Sequence, residues 1–230
     1  AEALDLETSD MPWHAQRDVL VDFAAQLTAL TGALGKMGQD LVLLAQSEIA
    51  EVQPGKGGGS STMPHKSNPV QAEMLVTLAR FNAGQLGTFA QSQLHDHERS
   101  GSSWLLEWLT LPQMIMAAGT ALAQAVDMVP ALKVNQDRMA ANLELSRGAM
   151  LAEAATFALA DHLGRDAADK LVKDGLARSA ANQSNLFDEL PKLTDAPVDW
   201  AAVRDPANYV GQSDAYIDRV LATAKRGLRD

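Results

Sequence analysis

The stretch from Pro12 to Glu51, PWHAQRDVLVDFAAQLTALTGALGKMGQDLVLLAQSEIAE, carries large apolar residues at steps of four and three positions. They are Val19, Phe23, Leu27, Leu30, Leu34, Met37, Leu41 and Leu44. This period places them on one face of an α-helix, and Pro12 suits the first turn of a helix capped by Ser9 or Asp10. We predict a helix from about residue 12 to about residue 51, far beyond the usual length of about 11 to 12 residues. Helices of this length are typical of bundles.

Two more long helices are predicted to pack with the first. One begins with Asn68 as its cap and Pro69 as its first residue, and its apolar positions predict burial of Met74, Leu75, Leu78, Phe81 and Phe89. The other runs from Trp104 to about Val129, is apolar on most sides, and contains Pro112, which predicts a kink. Residues 1–130 are therefore expected to form part of a long-helix bundle.

Shorter helical segments follow Pro130, and they predict a small helical domain over residues 131–230. The predicted segments are Asn135 to about Leu163 with an interruption at Gly148, Asp166 to about Asn182, Asn185 to Leu190, and Ser213 to about Arg226. No strand pair with hairpin turn chemistry stands out. The predicted fold class is all-α.

Composition excludes several classes of protein. The chain has 230 residues, is 47% hydrophobic and carries a net charge of −10, which disfavours nucleic acid and anionic membranes as partners. It contains no cysteine, so disulfides and thiolate chemistry are excluded. The start of the sequence is acidic and no run of eighteen apolar residues occurs, so neither an export signal nor a membrane span is predicted and a cytoplasmic protein is expected.

The glycine-rich stretch GKGGGSSTMPHKSNP, residues 55–69, separates the first two predicted helices. From Val52 to Ala72 there is no acidic residue, whereas Lys56, His65 and Lys66 are present. This cationic island in an acidic protein predicts an anionic ligand, because local charge governs a pocket. Composition alone leaves a solvated linker as an equal alternative.

Residues 59–69, GSSTMPHKSNP, resemble the signature of the fumarase/aspartase superfamily, and every fixed position of the pattern GSSxMPxKxN is filled. The resemblance implies a helical homotetramer with active sites built by several subunits, acting on carboxylated carbon chains without a cofactor. It also implies that Ser60 transfers a proton and that Lys66 and Asn68 bind a substrate carboxylate. Ser61 and Thr62 would assist with hydroxyls or amides.

Three further stretches resemble one enzyme family within this superfamily. HERSGSSWLLEWLTLP, residues 97–112, is similar to adenylosuccinate lyases, but Trp108 stands where those enzymes have an arginine that binds phosphate. The WxxEW spacing, PWHAQRD at residues 12–18 and DPANYVG at 205–211 instead resemble the 3-carboxy-cis,cis-muconate cycloisomerases of aromatic degradation. The implied substrate is a small polycarboxylate. Because Ser67 stands where these enzymes often carry arginine, a sulfonated muconate stays open as the substrate.

Other polar and aromatic residues have two interpretations each. His14 and Arg17 are candidates for substrate binding, but a histidine at a helix start and an arginine paired with Asp18 or Asp22 are equally good explanations. Trp108 is expected in the core or, second, in an apolar pocket wall. His95 and His97 do not share a helical face, so solvated histidines are expected there and no metal site is predicted.

The rest of the resemblance bears on what the chain can do alone. Superfamily members carry an N-terminal domain and histidine-bearing segments before the helix that begins near Pro12, so the resemblance implies a C-terminal fragment that is inactive by itself. Two rival functions stay open. One is another lyase of the superfamily, acting on a succinyl compound as adenylosuccinate lyase does, and the other is a non-catalytic oligomerization core.

Overall fold

The computed structural model describes residues 3, 5, 7, 8, 10–55, 58–59 and 67–227. The helices are α1 (Asp18–Leu44), α2 (Val70–Ala90), α3 (Gly101–Met128), α4 (Gln136–Glu144), α5 (Ala152–Leu163), α6 (Arg165–Asn182), α7 (Leu186–Glu189), α8 (Trp200–Arg204) and α9 (Ser213–Gly227). The strands are β1 (Val52–Gln53), β2 (Gly58–Gly59), β3 (Ser67–Asn68) and β4 (Lys133–Val134). The all-α prediction is confirmed. The chain divides into two compact units, Ala1–Arg138 and Met139–Asp230.

α1 is shorter at both ends than the span predicted from apolar spacing. Residues 10–17 are not helical, and the N-cap is Arg17, which makes no capping bond with its side chain. The predicted cap at Asp10 is therefore wrong, and Ser9 lies outside the described residues. At the other end Ala50 has a φ of 52°, and the Glu51 N–H donates to the Leu44 carbonyl at 3.0 Å, which turns the chain toward β1.

The buried residues of α1 are mostly small. They are Ala24, Thr31, Gly35 and Gly38, together with Leu41, a member of the predicted apolar stripe that is buried as expected. A Cβ added to Gly35 would lie 2.4 Å from the Ala79 Cβ, and one added to Gly38 would lie 2.6 Å from the Ala72 carbonyl oxygen. No side chain fits at these two positions unless the helices move apart. The two backbones therefore approach as closely as the absence of a Cβ permits.

This close approach leaves three of the eight residues of the predicted apolar stripe exposed in the single chain. Val19 is 65% exposed, and Phe23 and Leu30 are also exposed. On α2, Leu75 and Phe89 are fully buried as predicted, whereas Met74 and Phe81 are exposed. The prediction for Met74 and Phe81 is wrong within one chain, because the face that α1 offers to α2 is narrow and is filled by small side chains.

α3 completes the first unit. Pro112 lies inside the helix, which continues through it, and the α3 residues buried in this unit include Met114, Ala117, Ala118, Ala121 and Ala125. The Asn82 amide of α2 donates to the Met114 carbonyl at 3.2 Å. α2 itself has Pro69 as N-cap, one residue later than predicted, because Asn68 is engaged in β3. Among the described residues, Gly101–Ala131 is long and apolar enough to cross a membrane, judged by length and composition alone.

The second unit is built on a separate core of α5, α6 and α7. Ala155, Leu159, Val172, Phe187 and Leu190 are buried in it. The predicted break at Gly148 is confirmed, since this residue has a φ of 81° and follows α4. The Asn185 side chain caps α7 by accepting from the Phe187 N–H at 3.0 Å. Sequence spacing did not identify α8.

Glu189 is a buried carboxylate with several partners in the second unit. The Ser184 hydroxyl donates to it at 2.7 Å and the Lys192 ammonium at 3.1 Å. The hydrogen bonds from Ser184 and Lys192 hold the pKa of Glu189 below its usual range, against the opposing effect of desolvation. The contacts of Glu189 therefore stabilise the turn between α6 and α7.

The glycine contact between α1 and α2 can be tested with a matched pair of variants. Gly38→Ala should lower the free energy of unfolding by about 1 to 3 kcal/mol, because the new methyl group overlaps α2. Gly32→Ala is the control in the same helix, since nothing lies within 4 Å of its added Cβ. It should leave stability unchanged or raise it by up to about 1 kcal/mol through helix propensity. Equal urea unfolding curves for the two variants would contradict the close approach.

Candidate active site

A short antiparallel ladder frames the signature stretch. β2 pairs with β3, with Gly58 opposite Asn68 and Gly59 opposite Ser67. Cross-strand partners lie about 5 Å apart at Cα, so Gly59 and Ser67, which flank the segment 60–66 in sequence, lie side by side. Ser60, Ser61, Thr62 and Lys66 lie outside the described residues. The ladder places the one described member of the predicted carboxylate-binding pair, Asn68, at the base of α2.

A second ladder ties the strand that leads into the glycines to the far end of α3. β1 pairs antiparallel with β4, with Val52 opposite Val134 and Gln53 opposite Lys133. The Asn135 N–H extends this contact by donating to the Glu51 carbonyl at 2.9 Å. The sequence showed neither ladder, because pairs of this length leave no periodic signal.

These ladders border a cavity of about 760 Å³. Its lining includes Ser47, Asn68, Pro69, Lys133 and Asn135. Lys133 forms no ion pair within the part of the chain that the structure describes, so its ammonium is available to an anion. Sequence reasoning missed Lys133 and Asn135, since a single lysine and asparagine near a helix end carry no pattern. The cavity can accommodate a small carboxylated molecule between amide and ammonium donors.

Arg17 is held by a buried carboxylate at the opposite end of the bundle. Its Nε donates to Glu107 Oε1 at 2.6 Å and its Nη2 to Oε2 at 2.5 Å. The two side chains are only 12% and 4% exposed. The proposed pairing of Arg17 with Asp18 or Asp22 is thus wrong, because the fold brings Glu107 of α3 into a bidentate geometry that neither neighbour on α1 offers.

His95 belongs to the same buried cluster. Its side chain is 1% exposed, its Nδ1 accepts from the Ser100 N–H at 3.0 Å, and its Nε2 lies 4.0 Å from Glu107 Oε1. The expectation of a solvated histidine is wrong for His95, because the turn before α3 folds the ring inward, and it is correct for His97, which is exposed. Histidine spacing alone gave no sign of this contact.

Three tryptophans lie at this end of the bundle, and one of them contacts the arginine of the ion pair. The Arg17 guanidinium lies 5.0 Å from the Trp13 ring, and the rings of Trp104 and Trp108 are 4.8 Å apart. Trp108 is 59% exposed, so core burial is a wrong prediction for it within one chain. His14 is exposed as well. This end of the bundle presents an aromatic surface next to a buried charge pair.

The described members of the predicted site do not come together within one chain. Asn68 lies at the start of α2, whereas Arg17 and Glu107 lie where α1 and α3 begin. α1 connects the two ends with 27 residues, which span about 40 Å at 1.5 Å per residue. A single site containing both Asn68 and Trp108 therefore requires more than one chain.

Comparison with known proteins agrees with the signature and the long-helix geometry. A family profile described as Lyase matches residues 2–83. The 3-carboxy-cis,cis-muconate cycloisomerase of Pseudomonas aeruginosa is 40% identical over 230 residues, covering 96% of this chain and 50% of that protein. The signature of the fumarase/aspartase superfamily thus lies in a chain that is similar to a cycloisomerase over almost its whole length. The chain is also 33% identical to N-acetyl-S-(2-succino)cysteine lyase of Dickeya dadantii, over 96% of the chain and 50% of that enzyme.

A solved structure has the same fold over almost the whole of this chain. The 3-carboxy-cis,cis-muconate lactonizing enzyme from Pseudomonas putida superposes with a TM-score of 0.88 at 38% identity, covering 98% of this chain and 52% of that one. The chain spans about half the length of the curated relatives it matches. The predicted resemblance and the predicted helical fold are both confirmed.

The buried ion pair yields a stability prediction. Glu107→Leu should lower the free energy of unfolding by about 3 kcal/mol, because it leaves the Arg17 charge buried without a partner. Adding Arg17→Met should recover more than half of the loss. The control is Asp40→Asn, which breaks the exposed pair with Lys36 and should cost no more than about 1 kcal/mol. Urea unfolding of the four proteins decides the matter, and a loss for Glu107→Leu as small as the control's would contradict the prediction.

Proposed function

We propose that this chain carries the serine-loop part of a cycloisomerase that converts 3-carboxy-cis,cis-muconate to a carboxymuconolactone in aromatic degradation. The observation that supports this most strongly is the 40% identity to a cycloisomerase over almost the whole chain, together with the complete signature GSSTMPHKSNP. The polar cavity beside Asn68 supports a carboxylated substrate. Cytoplasmic location follows as part of the same proposal.

The proposed reaction is an intramolecular addition. One carboxylate oxygen of the substrate bonds to a carbon of the conjugated double bond, and a proton is delivered to the neighbouring carbon, so atoms and charge balance without a cofactor. The intermediate carries its extra charge on a carboxylate next to that carbon, and donors aimed at this group lower the barrier. Ser60 is the proposed proton-transfer residue, Lys66 and Asn68 bind the carboxylate, and Ser61 and Thr62 add hydroxyl or amide donors.

Roles are also proposed for Trp108, His14 and Arg17, at the opposite end of the bundle from Asn68. Trp108 and His14 are exposed and are proposed to contact the substrate side of the site in the assembled protein. Arg17 is proposed to act mainly through Glu107, because both oxygens of that carboxylate occupy its guanidinium. These assignments need one copy's Trp108 end to meet another copy's Asn68 end.

The outward-facing apolar side chains support such an assembly. α1, α2 and α3 all expose large apolar residues in the single chain, among them Val19, Met74, Leu109, Met116 and Val126. Monomeric proteins rarely leave so extended an apolar surface in water. The proposal is a homotetramer in which these helices form a shared bundle and in which antiparallel copies bring opposite ends together.

An alternative reaction is elimination from a succinylated compound, which the 33% identity to N-acetyl-S-(2-succino)cysteine lyase favours. The lower identity places it second. Muconates lose ultraviolet absorbance on lactonization, whereas a succinyl compound releases a new conjugated product. One spectrophotometric assay with each substrate therefore separates the two reactions.

The proton-transfer role yields a kinetic prediction. In the full-length protein, Ser60→Ala should lower kcat for 3-carboxy-cis,cis-muconate by about 10² or more and leave KM nearly unchanged. The reason is that a proton-transfer residue lowers the energy of the transition state and does not contribute to binding of the substrate. Ser146→Ala, a half-buried serine of the second unit, is the control and should keep full activity. Turnover of Ser60→Ala within a factor of two of the parent would remove Ser60 from the mechanism.

The assembly is tested separately. Light scattering at micromolar concentration should report a tetramer, and Met116→Lys together with Val126→Lys should reduce it to smaller species. These side chains are exposed within one chain, so a charge there should not disturb the fold of the monomer. Ala177→Lys, exposed on α6, is the control and should leave the mass unchanged. A clean monomer for the unmodified protein would overturn the proposed assembly.

A further inference from the structure

Gln71 links three segments of the chain at the base of the signature stretch. It lies in the first turn of α2, just beyond Asn68, and its Nε2 donates to Asp127 Oδ2 at 2.9 Å and to Gln124 Oε1 at 3.3 Å on α3. Its Oε1 is buried and accepts no hydrogen bond from the described residues. The side chain is therefore anchored on one side only.

The orientation of this amide follows from its partner. A carboxylate only accepts hydrogen bonds, so the amide nitrogen of Gln71 must face Asp127 and the amide oxygen must face away from it. The oxygen then points at Gly55, the residue from which the chain enters the glycine-rich stretch. The hydrogen bond to Asp127 thus determines that the Gln71 amide presents its oxygen to Gly55.

Gly55 is fitted to that oxygen. Its φ is 54°, in the left-handed region that favours glycine, and an added Cβ would lie 2.1 Å from Gln71 Oε1 and 3.4 Å from Met128 Cγ. Any side chain at this position would therefore displace the amide. The backbone at Gly55 lies against Gln71. Three residues later, β2 pairs with β3.

We propose that Gln71 is a positioning residue for the serine stretch: it holds Gly55 against α2 and α3 and thereby sets where the chain departs toward Ser60. This rests on the proposed function of Ser60. A buried acceptor without a donor costs about 1 to 3 kcal/mol, so stability alone does not account for an amide at this place. Displacement of reacting groups by about 1 Å costs about 10² in rate, so a loosened Gly55 should lower turnover.

The experiment replaces Gln71 in the full-length protein and reads the backbone and the chemistry separately. Gln71→Leu should speed amide hydrogen exchange of the segment 52–68 by about tenfold or more, since its anchor to α3 is lost. It should lower kcat by about tenfold and change KM by no more than about twofold, because placement and not binding is affected. Gln113→Leu is the control, because Gln113 is an exposed glutamine of α3 whose amide donates to the Leu109 carbonyl of its own helix.

A paired exchange tests whether the contact itself matters. Gln71→Glu alone sets two carboxylates against each other and should speed exchange, whereas Gln71→Glu with Asp127→Asn restores a donor at position 127 and keeps an oxygen toward Gly55. The double variant should therefore return exchange and kcat toward the parent values. Unchanged exchange in Gln71→Leu would overturn the proposal, as would faster exchange without loss of kcat. If exchange responds as expected but Ser60→Ala keeps full turnover, the proposed role of Ser60 fails instead.

Discussion

The close contact between α1 and α2 is the constraint on which the rest of the structure depends. Gly35 and Gly38 allow the two backbones to meet at distances that exclude even one methyl group. Dispersion contacts are strongest at such short range, and Thr28 and Thr31 satisfy their hydroxyls within the helix by donating to carbonyls one turn earlier. α1 and α2 are thus a closely packed helix pair with small residues at the contact.

The α1–α2 contact is too narrow to bury all the large apolar residues of α1. The stripe from Val19 to Leu44 lies about 100° around α1 from the small-residue face, since the two sets are offset by one position. α3 covers only part of the remaining surface, and its own outer face stays apolar. The close packing of small residues that stabilises the single chain therefore leaves apolar faces of α1 and α3 exposed, and these faces are suited to contact with further copies of the chain.

The two ends of the helix bundle differ in their chemistry. At one end a buried arginine, glutamate and histidine lie together, and the His95 ring accepts a hydrogen bond from the Ser100 N–H at the start of α3. At the other end short ladders hold Asn68 and Lys133 around an open polar cavity. Buried charges fix positions, whereas the exposed amide and ammonium remain available to a ligand. A helix bundle with different side chains at its two ends is well suited to sites that two or more chains complete.

The sequence by itself determined the helical class, the long helices and the resemblance to a superfamily, because apolar period and an unbroken signature are local properties. It also indicated Gly148 as a break between helices, where glycine suits the left-handed backbone conformation. Only the tertiary structure decided which face of α1 is buried. The small residues Ala24, Thr28, Thr31, Gly35 and Gly38 repeat with the same spacing as the large ones, and hydrophobicity ranks the large ones first. The pairing of Arg17 with Glu107, the burial of His95 and the contact of Gly55 with Gln71 join residues far apart in the chain. No local pattern encodes such contacts, because they arise from the distance between helices that pack on each other.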